Sequence, residues 1–234
     1  NKMFFKLASN QQISPRRGGP RFNNRFNQPN RAPRHITRPV ERRENPDAPR
    51  PVQQNTLRII PLGGLGEVGR NMTVIEWRDY DRDDRDILII DAGARFPEED
   101  MPGIDFLIPN IRYLEDKYDK ISGMIFTHGH FDHIGALPYM IEKLRNPMIY
   151  TAPLTKGLMI KRHEEFKHLP KLKIDEIKSG DKRKIGVFEV EFIHINHSIP
   201  DDMALLIKTP AGSIMATSDF KFDLSPIIDK PAEI

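Results

Sequence analysis

The 234-residue chain contains no cysteine. That excludes disulfides and thiolate metal sites, and it suits a reducing compartment. Any metal held here must be bound through nitrogen and oxygen. No apolar run reaches the roughly 20 residues a membrane-spanning helix needs. The opening Met3-Phe4-Phe5-Lys6-Leu7-Ala8 is too short for a secretory signal, so a cytoplasmic location is expected. Acidic residues are scarce in the first 55 positions, which carry 12 Lys+Arg and 3 Asp+Glu, a net of +9. The remainder carries 24 basic and 30 acidic residues, a net of −6. The overall charge of +3 therefore conceals a basic arm on an acidic body.

The arm holds 8 of the 20 prolines, few aliphatics and no periodicity. Residues 1–55 are accordingly expected to be disordered, and residues 56–234 to form one domain. Within the arm, Arg16, Arg17, Arg21 and Arg25 alternate with Phe22 and Phe26. Guanidinium groups neutralise phosphates and the rings stack on bases, so this stretch is a candidate contact for single-stranded RNA.

The body opens with a strand, Leu57 to Leu62, and a glycine-rich turn, Gly63 to Gly69. Met72 to Trp77 then reads as a second strand. A hairpin is expected in place of a dinucleotide-binding crossover, with the glycines allowing a tight bend. Asp79, Asp81 and Asp83 mimic the start of a calcium loop. Position 84 lacks the required Gly and position 90 the closing Glu, so a solvated hairpin turn is expected there. Ile87 to Ile90 forms a buried strand ending at Asp91, placed to accept a hydrogen bond and brace a metal ligand. Asn110 to Lys117 is expected to be a short helix, Met148 to Thr151 a strand, and Pro153 to Arg162 a helix. Lys173 to Ile177 and Ile185 to Ile195 read as strands, and Met203 to Thr217 as a hairpin.

The chemistry centres on Thr127-His128-Gly129-His130-Phe131-Asp132-His133, a His-x-His-x-Asp-His pattern. It follows the apolar run Ile121 to Phe126. It precedes apolar residues at Ile134, Leu137, Ile141 and Leu144, which fit one face of a helix. Four ligand-type residues on a strand-to-helix loop point to a metal site rather than to chance solvated histidines. His128 and His130 can reach one metal, and Asp132 and His133 a second beside it. Two divalent ions about 3.5–4 Å apart suit phosphoester hydrolysis. His194 and His197 lie on opposite faces of an alternating strand, so one of them is expected as a ligand. Asp219, at another strand end, is placed to bridge two metals.

These motifs resemble the metallo-β-lactamase superfamily, and more narrowly the ribonuclease J group of β-CASP nucleases. The likeness runs from Leu57 to Phe222. It rests on Pro61 to Met72, Phe96-Pro97-Glu98, Gly103-Ile104-Asp105, Thr127 to Gly135, His197 to Asp201 and Asp219 to Asp223. It implies an α/β protein with an αββα sandwich and two metals at one edge, Zn²⁺ foremost and Mn²⁺ or Mg²⁺ as alternatives. His128, His130 and His197 would hold the first metal, Asp132 and His133 the second, with Asp219 bridging and Asp91 bracing. It implies 5′-to-3′ exonuclease and endonuclease action on RNA, a preference for 5′-monophosphate ends, and attack by a two-metal-activated hydroxide that Asp132 orients. A homo-oligomer is implied for the full-length protein.

Three departures stand out. Ser218 occupies a position where the family usually has Gly, and Asp202 and Ala204 positions where Ser and Gly are common. The family's inserted β-CASP domain, a later metal-binding His and the C-terminal domain have no counterpart, so the chain is expected to be the first part of a longer protein. Another hydrolase of this fold, such as a thioesterase or lactamase, is the second enzyme reading. A non-catalytic RNA-binding fragment is the third, and it predicts less than one tightly held metal per chain.

Overall fold

A computed structural model describes residues 54–228 and 230–232. The basic stretch Arg16 to Phe26 lies outside the described residues.

Six strands form one sheet in chain order: β1 (Thr56–Gly63), β2 (Met72–Asp79), β3 (Asp84–Ile90), β4 (Ile121–Phe126), β5 (Ile149–Thr151) and β6 (Ile174–Glu176). β1, β2 and β3 pair antiparallel, whereas β3, β4, β5 and β6 run parallel. Parallel strands covered on both faces read as unbroken apolar runs, as Ile87–Ile90 and Met124–Phe126 do. Their side chains divide by alternation. Ile87, Ile89, Met124 and Phe126 enter a core beneath the helices. Leu88, Ile90 and Ile125 enter a second core between two sheets.

The second sheet is antiparallel, in the order β10-β9-β8-β7, from β7 (Lys182–Ile185), β8 (Phe188–His194), β9 (Met203–Thr209) and β10 (Gly212–Ala216). Phe188, Val190, Phe192, Leu205 and Ile207 project from it toward Ile75, Trp77 and Leu88. Each fully buried side chain of this kind contributes about 1.5–3 kcal/mol relative to exposure. Helices α1 (Phe131–Ile134), α2 (Leu137–Met140) and α3 (Pro153–His163) contribute to the first core. The described residues thus supply an αββ arrangement. They place no helix over the outer face of the four-stranded sheet, so the second α layer of the expected sandwich is not formed by them.

Three local expectations need correction. The single strand expected over Ile185 to Ile195 is a hairpin, because Gly186 turns the chain with φ +58°. A side chain at Gly186 would also collide with Asp86 Oδ1. The helix expected after the metal loop breaks into α1 and α2. The Ala136 amide is diverted to the Ala92 carbonyl (2.8 Å) instead of extending the helix ladder. Pro138 sits in the first turn of α2, where its missing N–H costs nothing. The segment after Asn110 forms a 3₁₀ turn, Ile111–Leu114, capped by the Asn110 side chain. The Asp79–Asp86 region is the β2–β3 turn, in which Asp79 Oδ1 accepts two backbone amides at 3.1 Å.

Candidate metal centre

The ends of β3, β4, β8 and β10 bring together residues that are far apart in sequence. β3 ends at Asp91, which adopts φ +62°, a left-handed conformation that Asp tolerates better than most residues. This turn aims the carboxylate across the start of the metal loop. Asp91 Oδ1 accepts the Thr127 amide at 2.9 Å, and Oδ2 accepts the Thr127 hydroxyl at 3.0 Å. Oδ2 also accepts from His133 Nδ1 at 2.8 Å. Nδ1 is therefore the protonated nitrogen, and Nε2 faces the centre, the arrangement that orients a metal-binding imidazole.

His128 is fully buried. Its Nε2 lies 3.0 Å from His130 Nδ1, which in turn lies 3.2 Å from His197 Nε2. Three nitrogens on a tetrahedral ion at 2.0–2.1 Å would be about 3.3 Å apart. The spacing fits a small divalent cation without rearrangement. A second group joins His128, His133 and Asp219. Asp219 Oδ2 lies 3.7 Å from His133 Nε2 and 3.8 Å from His197 Nε2, between the two groups. The segment that carries it is held beside His197 by the Lys221 amide, which donates to the Asn196 carbonyl at 2.8 Å.

Asp132 stands at the rim. Its Oδ2 lies 3.7 Å from His133 Nε2 and accepts from Asn71 Nδ2 at 3.2 Å. It belongs to neither of the two groups of converging ligand atoms. His194, the alternative to His197, is buried and faces the Lys230 carbonyl at 3.0 Å. Asp91 touches no ligand other than His133 in this network, and it is the nearer of two carboxylates behind the histidines. The other is Asp202, which sequence reasoning noted only as a departure.

Asn71 was also given no role from sequence. Its amide reaches the Asp132 carbonyl, Asp132 Oδ2 and His133 Nε2 at 3.0–3.2 Å. The glycine-rich turn positions it, since Gly64 adopts φ +82° and any side chain there would strike Asn71 Oδ1. Only the register of that turn against the metal loop exposes the role. The sole local signal was a polar residue opening an apolar strand.

The charges are set by burial and by neighbours. Burial, reinforced by His133, His130 and His197, pushes His128 down to about 2, so it is neutral and free to donate a lone pair. Burial also disfavours the charged form of His133. Asp91, Asp219 and Asp132 outweigh it and raise this imidazole to about 10. Hydrogen bonding to His133 lowers Asp219 to about 2. Neutral imidazoles beside a firmly ionised carboxylate are a donor set suited to Zn²⁺ or Mn²⁺.

The fold and these donors define a hydrolase-type metal centre, and the chain belongs to the metallo-beta-lactamase superfamily, whose family model matches residues 65–231. Within it, the sequence is that of a ribonuclease J N-terminal portion. It is 42% identical to ribonuclease J of Thermus thermophilus over 187 residues, covering 77% of this chain and 32% of that protein. It is 44% identical to ribonuclease J of Helicobacter pylori over 182 residues, covering 76% of this chain and 25% of that one. The chain thus spans about a third or less of these relatives' length. A solved protein of unknown function from Enterococcus faecalis shares the fold, with a TM-score of 0.52 and 21% identity, over 72% of this chain and 44% of that one. Among the described residues no helix is long and apolar enough to cross a membrane.

Proposed function

We propose that the chain is the metal-binding part of a ribonuclease that hydrolyses RNA phosphodiester bonds, with 5′-to-3′ exonuclease and endonuclease action and a preference for 5′-monophosphate ends. The observation that supports it most is the convergence of His128, His130, His133, His197 and Asp219 at one edge of the sandwich, in a sequence so similar to ribonuclease J.

Two divalent ions, Zn²⁺ foremost, would supply an activated water and neutralise charge on the phosphate oxygens. The remaining work falls to the chain's own groups. His128, His130 and His197 present neutral nitrogens to one position, and His133 presents Nε2 to its neighbour. Asp219, ionised and facing both, holds the two positions together. Asp132, one-third exposed and tethered by Asn71, is placed to orient the attacking water. The arm residues Arg16, Arg17, Arg21, Arg25, Phe22 and Phe26 would hold single-stranded RNA. The complete protein is proposed to act in the cytoplasm as a homo-oligomer.

The test is cleavage of a 5′-monophosphorylated single-stranded RNA with added Zn²⁺ or Mn²⁺, beside an Asp132→Ala control. Mononucleotide release should fall at least about 100-fold in the control, the scale of removing one transition-state interaction. Equal turnover in the two proteins would remove the role assigned to Asp132. Metal binding without cleavage in either would leave a metal-binding fragment that does not act alone. Deleting residues 1–50 should weaken RNA binding and flatten its salt dependence by about 0.7 for each phosphate the arm had neutralised. An unchanged slope would exclude the arm from RNA binding.

A further inference from the structure

Behind His128, on the side away from the other histidines, Nδ1 faces three oxygens. Thr127 Oγ1 lies at 3.1 Å, Ser218 Oγ at 3.3 Å and Asp202 Oδ2 at 3.5 Å. The Thr127 hydroxyl is already donated to Asp91. Asp202 has no exposed surface, and neither of its carboxylate oxygens has a hydrogen-bond partner. A buried carboxyl without a partner is costly, and such a group calls for an explanation. Its position supplies one. Charge-assisted hydrogen bonds are roughly twice as strong as neutral ones, so a carboxylate is the preferred acceptor among the three oxygens.

Two of the sequence departures also meet at this nitrogen. Asp202 and Ser218 stand where the resembled family commonly has Ser and Gly, and both side chains point at His128 Nδ1. Ser218 adopts φ +55°, the conformation a Gly would take without strain. The backbone there is held against the preference of the residue that occupies it.

We propose that Asp202 is a positioning residue for His128. Its buried carboxylate takes the Nδ1 proton in a hydrogen bond, and this fixes the tautomer that turns an unprotonated Nε2 toward His130 and His197. Asp202 thereby does for His128 what Asp91 does for His133. The consequence for metal affinity rests on the reading of the cluster as a metal centre, whereas the tautomer does not.

The test has two readouts on the 234-residue chain. Long-range ¹H–¹⁵N correlation spectra of the metal-free protein report which ring nitrogen of His128 carries the proton. Titration with Zn²⁺ reports affinity. The native chain should show a single Nδ1–H form. Asp202→Ala should mix the tautomers and weaken Zn²⁺ binding by roughly 10–100-fold, as removal of such a partner does. Asp202→Asn keeps the shape and one acceptor oxygen but not the charge, and it should fall between the two. If Asp202 only filled space, Asp202→Asn would match the native chain in both readouts. Asp202→Asn also decides the matter if Asp202→Ala does not fold. Ser218→Ala should change affinity less than about threefold, well short of the range for removing a partner. A single Nδ1–H form persisting in both Asp202 variants would overturn the proposal, as would a weakening that follows Ser218→Ala instead. A native chain that binds no Zn²⁺ would defeat the metal reading, and the tautomer would still decide the role of Asp202.

Discussion

Gly93→Ala should destabilise the protein by at least about 3 kcal/mol, at or beyond the upper end of the usual range for overpacking. Residues 92–94 form the seat of the metal loop. The Ala92 amide donates to the His133 carbonyl at 2.8 Å, the Gly93 amide to Asn71 at 2.9 Å, and the Ala94 amide to Phe131 at 3.2 Å. A Cβ on Gly93 would lie 1.5 Å from the Asp132 carbonyl oxygen and 2.2 Å from its carbon. Both are backbone atoms of the metal loop, so no side-chain rotation relieves the clash. The loop must lift away, and those hydrogen bonds lengthen with it. At this chain length, 3 kcal/mol corresponds to a fall in Tm of roughly 6–12 °C, and Zn²⁺ affinity should drop with it. Gly157→Ala is the control. Gly157 lies within α3, and a Cβ there meets nothing within 4 Å, so it should be neutral or stabilise by up to about 1 kcal/mol. Equal melting temperatures for Gly93→Ala and the native chain would show that the seat is not rigid.

That seat also marks how far the sequence could be read. The β3 and β4 runs, the β9–β10 hairpin and the aspartates closing strands were legible, because apolar pattern and turn residues are local signals. The break between α1 and α2 was not. It comes from the Ala136 amide reaching Ala92 across the fold, while the apolar spacing of Ile134, Leu137, Ile141 and Leu144 stays helical. The β7–β8 turn was hidden because Ile185, Val187 and Phe188 flank Gly186 and read as one strand. At the site, the His-x-His-x-Asp-His residues announced themselves by spacing. Alternation separated His194 from His197 but could not choose between them. The choice depends on the Asn196–Lys221 bridge that brings the Asp219 segment alongside. The roles of Asn71 and Asp202 exist only as contacts between distant segments, so no window of sequence contains them.

Metal binding at the His133 position should strengthen with pH, because a proton and a cation compete for the same Nε2. The folded chain holds this imidazole at about 10 against an ordinary 6.5, so log affinity should rise by roughly one per pH unit between those values, with about one proton released. Stability of the metal-free chain should move the other way. A raised imidazole contributes stability fully below 6.5 and loses it as pH rises through about 10. Its partner Asp219, lowered to about 2, contributes above 3.8 and loses it as pH falls through about 2. The ion pair is therefore complete between these limits, and the metal-free protein should be most stable in mild acid, where metal binds poorly. Asp91→Asn separates the two effects. It removes the charge that favours the His133 proton and weakens the bond that orients the ring. At high pH the variant should bind Zn²⁺ roughly 10–100-fold more weakly, from lost orientation alone. As pH falls the gap should narrow, because the native chain alone carries the full proton penalty. A gap constant from pH 6.5 to 10 would mean that Asp91 orients His133 without controlling its proton. A narrowing gap would show one carboxylate setting both the aim of the ligand and the pH at which it becomes available.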